Sequence, residues 1–153
     1  MNSIKVLGIG SPFGEDQVGW SVAQSLITKC SHLPVTIEIH DRPGIRLIEL
    51  MNGATTVFLI DAIKSNDKIG TIHRFHNNEI LTLENQLSTH NIGIAQALEL
   101  GKALKALPDN IILYGITIHT SEFESTFSLP VKKAVEQVVG LLKNEIYRLH
   151  DSV

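Results

Sequence analysis

Cysteine is almost absent from this chain. Cys30 stands alone among 153 residues, so no disulfide can close within the chain, and no charged segment followed by an apolar run opens it as a secretion signal would. The expected compartment is a reducing cytoplasm. Long hydrophobic runs are missing too: the most apolar stretches, such as Ile111 to Ile118, fall far short of the roughly 20 residues that cross a bilayer. A soluble protein without a membrane partner is expected. There is no basic stripe either. Lys and Arg number 13 against 16 Asp and Glu, for a formal charge of −3, and their scatter argues against nucleic acid, whose phosphates select a clustered basic face. No repeat, low-complexity segment or Pro/Gly-rich linker divides the sequence, so one domain over residues 1–153 is expected.

What is present is an apolar content of 43%, enough for a core at this length, distributed as strand-length apolar runs alternating with stretches of helical period. That alternation reads as an α/β layer structure. The strand candidates are Ile4 to Ile9, Val35 to Asp41, Thr56 to Ala62, Gly70 to Phe75 and Asn110 to Thr117, rich in Ile, Val, Thr and Leu. Ile4 to Ile9, Val57 to Ile60 and Ile111 to Ile116 are apolar on both faces, as in central strands of a sheet covered on both sides. Between them, Gln17 to Thr28 places Val18, Val22, Ala23 and Leu26 on one helical face. Ile45 to Met51 reads as a short helix entered through Pro43-Gly44, Ile92 to Leu107 as a well-buried helix stopped by Pro108, and Pro130 opens a last helix with a stripe from Val131 to Leu149. The expected architecture is a three-layer α/β sandwich: a mostly parallel twisted sheet of about five strands with helices on both faces.

In such a sheet, ligand sites lie where the strands end at their carboxyl edge. The loops expected there follow strands one, three and four and contain GSPFGED, IDAIKSND and the stretch leading to STHNIG. In the first, Gly8, Gly10 and Gly14 imitate a dinucleotide-binding turn, and Asp41 imitates its ribose-holding acid. Phosphate, however, seeks free amides at a positive helix end, and Glu15 with Asp16 would repel it. Those charges suit a cation. Taken singly, Asp16 has an ordinary role as a helix N-cap, Asp61 as an Asx turn closing a buried strand, and His90 as a polar residue near a cap. Taken together on one edge, two carboxylates and an imidazole suit a divalent transition metal.

VLGIGSPFGEDQVGW, FLIDAI and STHNIG, in this order and at these separations, resemble the three motifs of the hydrogenase maturation endopeptidases. YGITI as the last strand and FSLPVKKAV at the start of the last helix extend the likeness over most of the chain. The resemblance implies a single α/β domain and a cytoplasmic, monomeric, aspartic-type endopeptidase. Such an enzyme removes the C-terminal extension of a nickel-iron hydrogenase large-subunit precursor after nickel insertion. It implies Asp16, Asp61 and His90 as the catalytic and metal-recognising residues, with nickel supplied by the substrate and cadmium or zinc able to replace it in crystals. The first loop departs from the family pattern: it is one residue shorter, with Ser11 for the usual Asn and Gln17 for the usual Gly. Glu15 therefore stands beside Asp16 as a candidate for the inward carboxylate, although alignment back from Val18-Gly19 favours Asp16. A second departure is HDRPG at residues 40–44, where Arg42 is either a substrate contact or a surface ion-pair partner. His40 and His119 are candidates to flank the cleft, while His73 and His76 are expected to face solvent. Cys30 lies away from these loops and no serine sits in a nucleophile-elbow pattern, so water is the expected nucleophile. The second reading is a non-catalytic metal- or nucleotide-binding module on the same fold.

Overall fold

The computed structural model describes residues 3–83, 93–118 and 127–151. Its strands are β1 (Ile4–Gly10), β2 (Val35–Asp41), β3 (Thr56–Ile63), β4 (Ile72–His76) and β5 (Asn110–Thr117), and its helices are α1 (Val18–Lys29), α2 (Arg46–Leu50), α3 (Ile94–Ala103) and α4 (Leu129–Asp151). Two 3₁₀ turns, Gly14–Gln17 and Asn77–Leu83, precede α1 and follow β4. The strands form one sheet in the order β2-β1-β3-β5-β4. All neighbours run parallel except β4, which is antiparallel to β5. The three central strands are those whose residues are apolar on both faces, and they are buried almost throughout. At the edges, β2 and β4 mix polar with apolar residues and remain half exposed, as outer strands of a covered sheet do.

Strand alternation divides the core in two. Val6, Phe58, Ile60, Ile112, Tyr114 and Ile116 project towards α1 and α4, whereas Leu7, Ile9, Val57, Leu59, Ile111 and Leu113 project towards α2, α3 and the second 3₁₀ turn. On the first face α1 lies almost in backbone contact with the sheet. A Cβ on Gly19 would fall 2.3 Å from the Ile9 carbonyl oxygen and 2.4 Å from that of Ile60, and one on Gly8 would fall 2.5 Å from the Gly19 carbonyl. Two of the glycines in the opening motif region thus serve close helix–strand packing. Cys30 closes α1 in the same core, and burial pushes its thiol pKa up, away from the thiolate a nucleophile needs.

Several expectations are corrected. Asp61 does not close its strand, because β3 continues in register with β5 through Ile63↔Thr117. The antiparallel β4 ends with His76 opposite Ile112, so the connection after it leaves from the amino edge of the parallel strands, not from the carboxyl edge. The helix expected over Ile92 to Leu107 ends at Ala103, well before Pro108. Lys105 takes the left-handed conformation (φ 55°), and Ala106 N–H to Gly101 O (2.9 Å) with Lys105 N–H to Lys102 O (3.1 Å) complete a Schellman stop in which lysine occupies the usual glycine position. No helix among the described residues is long and apolar enough to cross a membrane.

Candidate functional site

Because β1 and β3 are adjacent and parallel, with Gly8 opposite Ile60, the loop after β1 and the last residues of β3 open at one edge of the sheet. The loop turns back through Ser11 to the 3₁₀ turn, which packs against β3. A Cβ on Gly10 would lie 2.3 Å from the Asp16 carbonyl oxygen, so the absence of a side chain at Gly10 is what permits this return. Asp16 is not a helix cap: Gln17 occupies the position before α1 and makes no side-chain capping bond. The Asp16 carboxylate instead accepts the Ser11 hydroxyl at Oδ2 (3.1 Å), a buried contact that fixes its direction within the loop.

Glu15, 3% exposed, has a different task. Its Oε2 accepts the Ser128 N–H (2.9 Å) and the Ser128 hydroxyl (3.0 Å), and Ser128 O in turn accepts the Lys132 N–H (3.0 Å). Glu15 therefore anchors the first loop to the amino terminus of α4, where a carboxylate is favoured by the helix dipole. The two adjacent acids thus hold different partners, Ser11 for Asp16 and Ser128 for Glu15. The sequence offered no sign of the partnership, since the residues lie 113 positions apart.

Asp61 is fully buried, and its Oδ1 accepts the Ala62 N–H (2.8 Å). It belongs to the alternation of Val57 and Leu59, and so projects to the sheet face covered by α2 and α3. Its ladder partner on β5 is Gly115, and Gly115 is paired on its other side with His73 of β4. Partners across a ladder share a face, which puts Asp61 and His73 in one row with a residue lacking a side chain between them. His73, expected to face solvent, is instead partly buried, with Nε2 at 3.1 Å from Thr117 Oγ1 and 3.3 Å from Asp67 Oδ2 and its ring stacked on Phe75. Ser65 Oγ joins Asp67 and Thr117, each at 3.1 Å.

His90 lies outside the described residues, as does His119. The described chain resumes at Gly93 and enters α3, whose first residue, Ile94, packs in the core on Asp61's side of the sheet. Among the described residues no group of three or more His, Cys, Asp or Glu side chains is placed to hold a metal. His40 is tied to Glu38 (2.9 Å) on the edge strand, and its carbonyl accepts the Trp20 indole N–H (3.0 Å). Arg42 pairs with Asp41 (Nε to Oδ1, 2.7 Å) and lies 5.7 Å from the centroid of the Phe13 ring, in a left-handed backbone conformation (φ 42°). The ion pair is thus real, and it sits at the mouth of the first loop. His76 is exposed.

Residues 43–145 match the family model described as hydrogenase maturation protease. Among solved structures, the hydrogenase maturating endopeptidase HybD from E. coli is similar at a TM-score of 0.73 and 24% identity, over 94% of this chain and 93% of that one. The [NiFe] hydrogenase maturation protease HybD from Thermococcus kodakarensis is similar at 0.74 and 20%, over 94% and 99%. The [NiFe] hydrogenase maturation protease HycI from Thermococcus kodakarensis KOD1 is similar at 0.70 and 23%, over 96% and 93%. At such identities these likenesses establish the fold. No curated protein sequence matches the chain.

Proposed function

Because the chain belongs to the hydrogenase maturation protease family, we propose that it is an endopeptidase that removes the C-terminal extension of a nickel-iron hydrogenase large-subunit precursor after nickel insertion. One observation supports this reading above the others: two buried carboxylates, Asp16 in the turn that follows β1 and Asp61 near the end of the adjacent parallel β3, lie towards the same sheet edge. Nickel in this reading belongs to the substrate. Asp16, Asp61 and His90 recognise it, two oxygen donors and one imidazole being an acceptable set for a divalent first-row metal. Ser11 and the Ala62 amide hold the two carboxylates in direction, which matters because a recognition site works only at fixed geometry. Water is the nucleophile at the neighbouring peptide bond. A carboxylate of this set is suited to accept its proton.

The test is incubation with nickel-loaded and nickel-free precursor, followed by intact mass measurement. Shortening of the loaded form alone is the expected result. Binding of the precursor with no shortening of either form would overturn the endopeptidase assignment in favour of a non-catalytic module, and equal shortening of both forms would remove nickel from recognition. A crystal soaked in cadmium or zinc is expected to show the ion at about 2.0–2.4 Å from its oxygen and nitrogen donors, with Asp16 rather than Glu15 among them.

A further inference from the structure

One groove lies away from the carboxyl edge. It has a volume of about 640 Å³ and lies between the β4–β5 end of the sheet and the second half of α4, lined among others by Arg74, His76, Tyr114, Leu141, Glu145 and Arg148. Tyr114 belongs to the core on the α1 and α4 face, and Asn110, at the start of β5, also lines the groove. It is therefore on the opposite face from Asp61 and at the opposite edge. The proposed cleavage uses none of these residues.

The charges in the groove are unequally matched. Arg74 presents Nη2 to Glu145 Oε1 (2.6 Å) and Nε to Oε2 (3.2 Å), and Tyr114 donates its hydroxyl to the same Oε2. Arg74 also lies 5.9 Å from the centroid of the Tyr114 ring. This closed set of three holds the Glu145 carboxylate in a fork and presents a fixed polar floor. Arg148, less than one helical turn further along α4, has its Nε directed to the Asn144 carbonyl at 3.4 Å; its charge acts on Glu145 through space, while the hydrogen bonds of that carboxylate are taken by Arg74 and Tyr114. Two guanidinium groups thus face one carboxylate, in a chain whose overall charge is −3. The walls supply apolar surface, including Leu141, 45% exposed, and Leu149.

We propose that this groove binds a small monocarboxylate with an apolar body. Its carboxylate would pair with Arg148, and its body would cover Leu141 and Leu149. The volume lies within the roughly 300–1,000 Å³ usual for small-molecule sites. The single excess positive charge favours a monoanion over a phosphate dianion, and the apolar wall favours an anion with a hydrocarbon body over a bare one.

Titration of the intact protein with 3-phenylpropionate, followed by NMR of the arginine Nε–H and backbone amide signals, tests this. Saturable shifts at Arg148, Arg74 and Tyr114 are expected. The alcohol 3-phenylpropan-1-ol and inorganic phosphate should each bind at least about tenfold more weakly, and Arg148→Gln should weaken the carboxylate by at least about tenfold while leaving the rest of the spectrum in place. Absence of saturation, equal binding of the alcohol, tighter binding of phosphate, or an unchanged affinity in Arg148→Gln would each overturn the proposal. None of these outcomes depends on peptidase activity.

Discussion

The two faces of the sheet are built by different means. Towards α1, the fit is set by missing side chains: Gly8 and Gly19 let helix and strand backbones approach so closely that an added methyl would overlap carbonyl oxygens. Towards α2 and α3, the fit is made by side chains, with Leu47, Met51, Leu59, Leu98 and Leu113 filling the space between short helices and the sheet. A backbone contact tolerates no repacking, because neither partner has a rotamer to change. The α1 face thus fixes where the first loop, and with it Asp16, sits relative to β3. The other face presents Asp61 beneath elements that are shorter and more adjustable. The close backbone fit thus lies on the α1 face, and Asp61 lies on the other.

That division is most directly broken by exchanging the readouts. Asp61→Asn and Asp16→Asn keep an oxygen for the Ala62 amide or the Ser11 hydroxyl, so thermal melting should change little. Processing of nickel-loaded precursor should fall by roughly 100- to 10,000-fold, the usual range for losing a group engaged with the reacting centre. His90→Ala is expected to behave in the same way. If Asp61→Asn unfolds the protein instead, the carboxylate is part of the scaffold and the comparison fails. Gly19→Ala should show the converse, a loss of about 3 kcal/mol in denaturant unfolding from overpacking against backbone. A melting curve for Gly19→Ala that overlays the parent would mean that α1 can move on the sheet.

Much of this organisation was legible in the sequence, and the failures have physical causes. The burial of the three central strands followed from their apolar runs, since continuous Ile, Val and Leu can only be buried on both sides. Asp61 drew notice because a charge in an apolar strand has few inexpensive explanations, and Asp16 because a carboxylate stands where a glycine turn would otherwise receive phosphate. The direction of β4 was not legible: Ile72–His76 has the same composition in either orientation, and only its pairing with β5 makes it antiparallel. The early stop of α3 was hidden because Lys105 adopts a conformation that composition assigns to glycine. The role of Glu15 was unreadable, because its partner Ser128 is distant in sequence and serine at a helix start needs no carboxylate to explain it.

The Glu15–Ser128 link sharpens the comparison on a smaller scale, since it ties the first loop to α4 rather than to the sheet. Glu15→Gln retains an acceptor but loses the charge, and should cost about 1 kcal/mol. Ser128→Ala should cost a similar amount alone and clearly less when combined with Glu15→Gln, giving a coupling of about 1 kcal/mol in a double-mutant cycle. Strict additivity of the two losses would show that the residues do not act as a pair.

The smallest expected effect lies at the α4 seam and appears only with pH. Burial and the hydrogen bond to Glu145 push the Tyr114 phenol up to about 12, from an ordinary value near 10. The protonated form is therefore favoured by folding: the contribution is fully present below about pH 10 and is lost as the pH rises towards about 12. At the acid end the sign reverses. Burial alone would raise the Glu145 carboxyl, but hydrogen bonds from Arg74 and Tyr114 outweigh it and hold the group below its usual value, so its contribution is present at neutral pH and lost as the pH falls through the depressed value. Unfolding free energies measured across both ranges should decline at each end, the alkaline decline flattening in Tyr114→Phe and the acid one in Glu145→Gln. An alkaline slope that survives Tyr114→Phe would assign the effect to other groups. It would also remove Tyr114 from the set that braces α4 against the sheet.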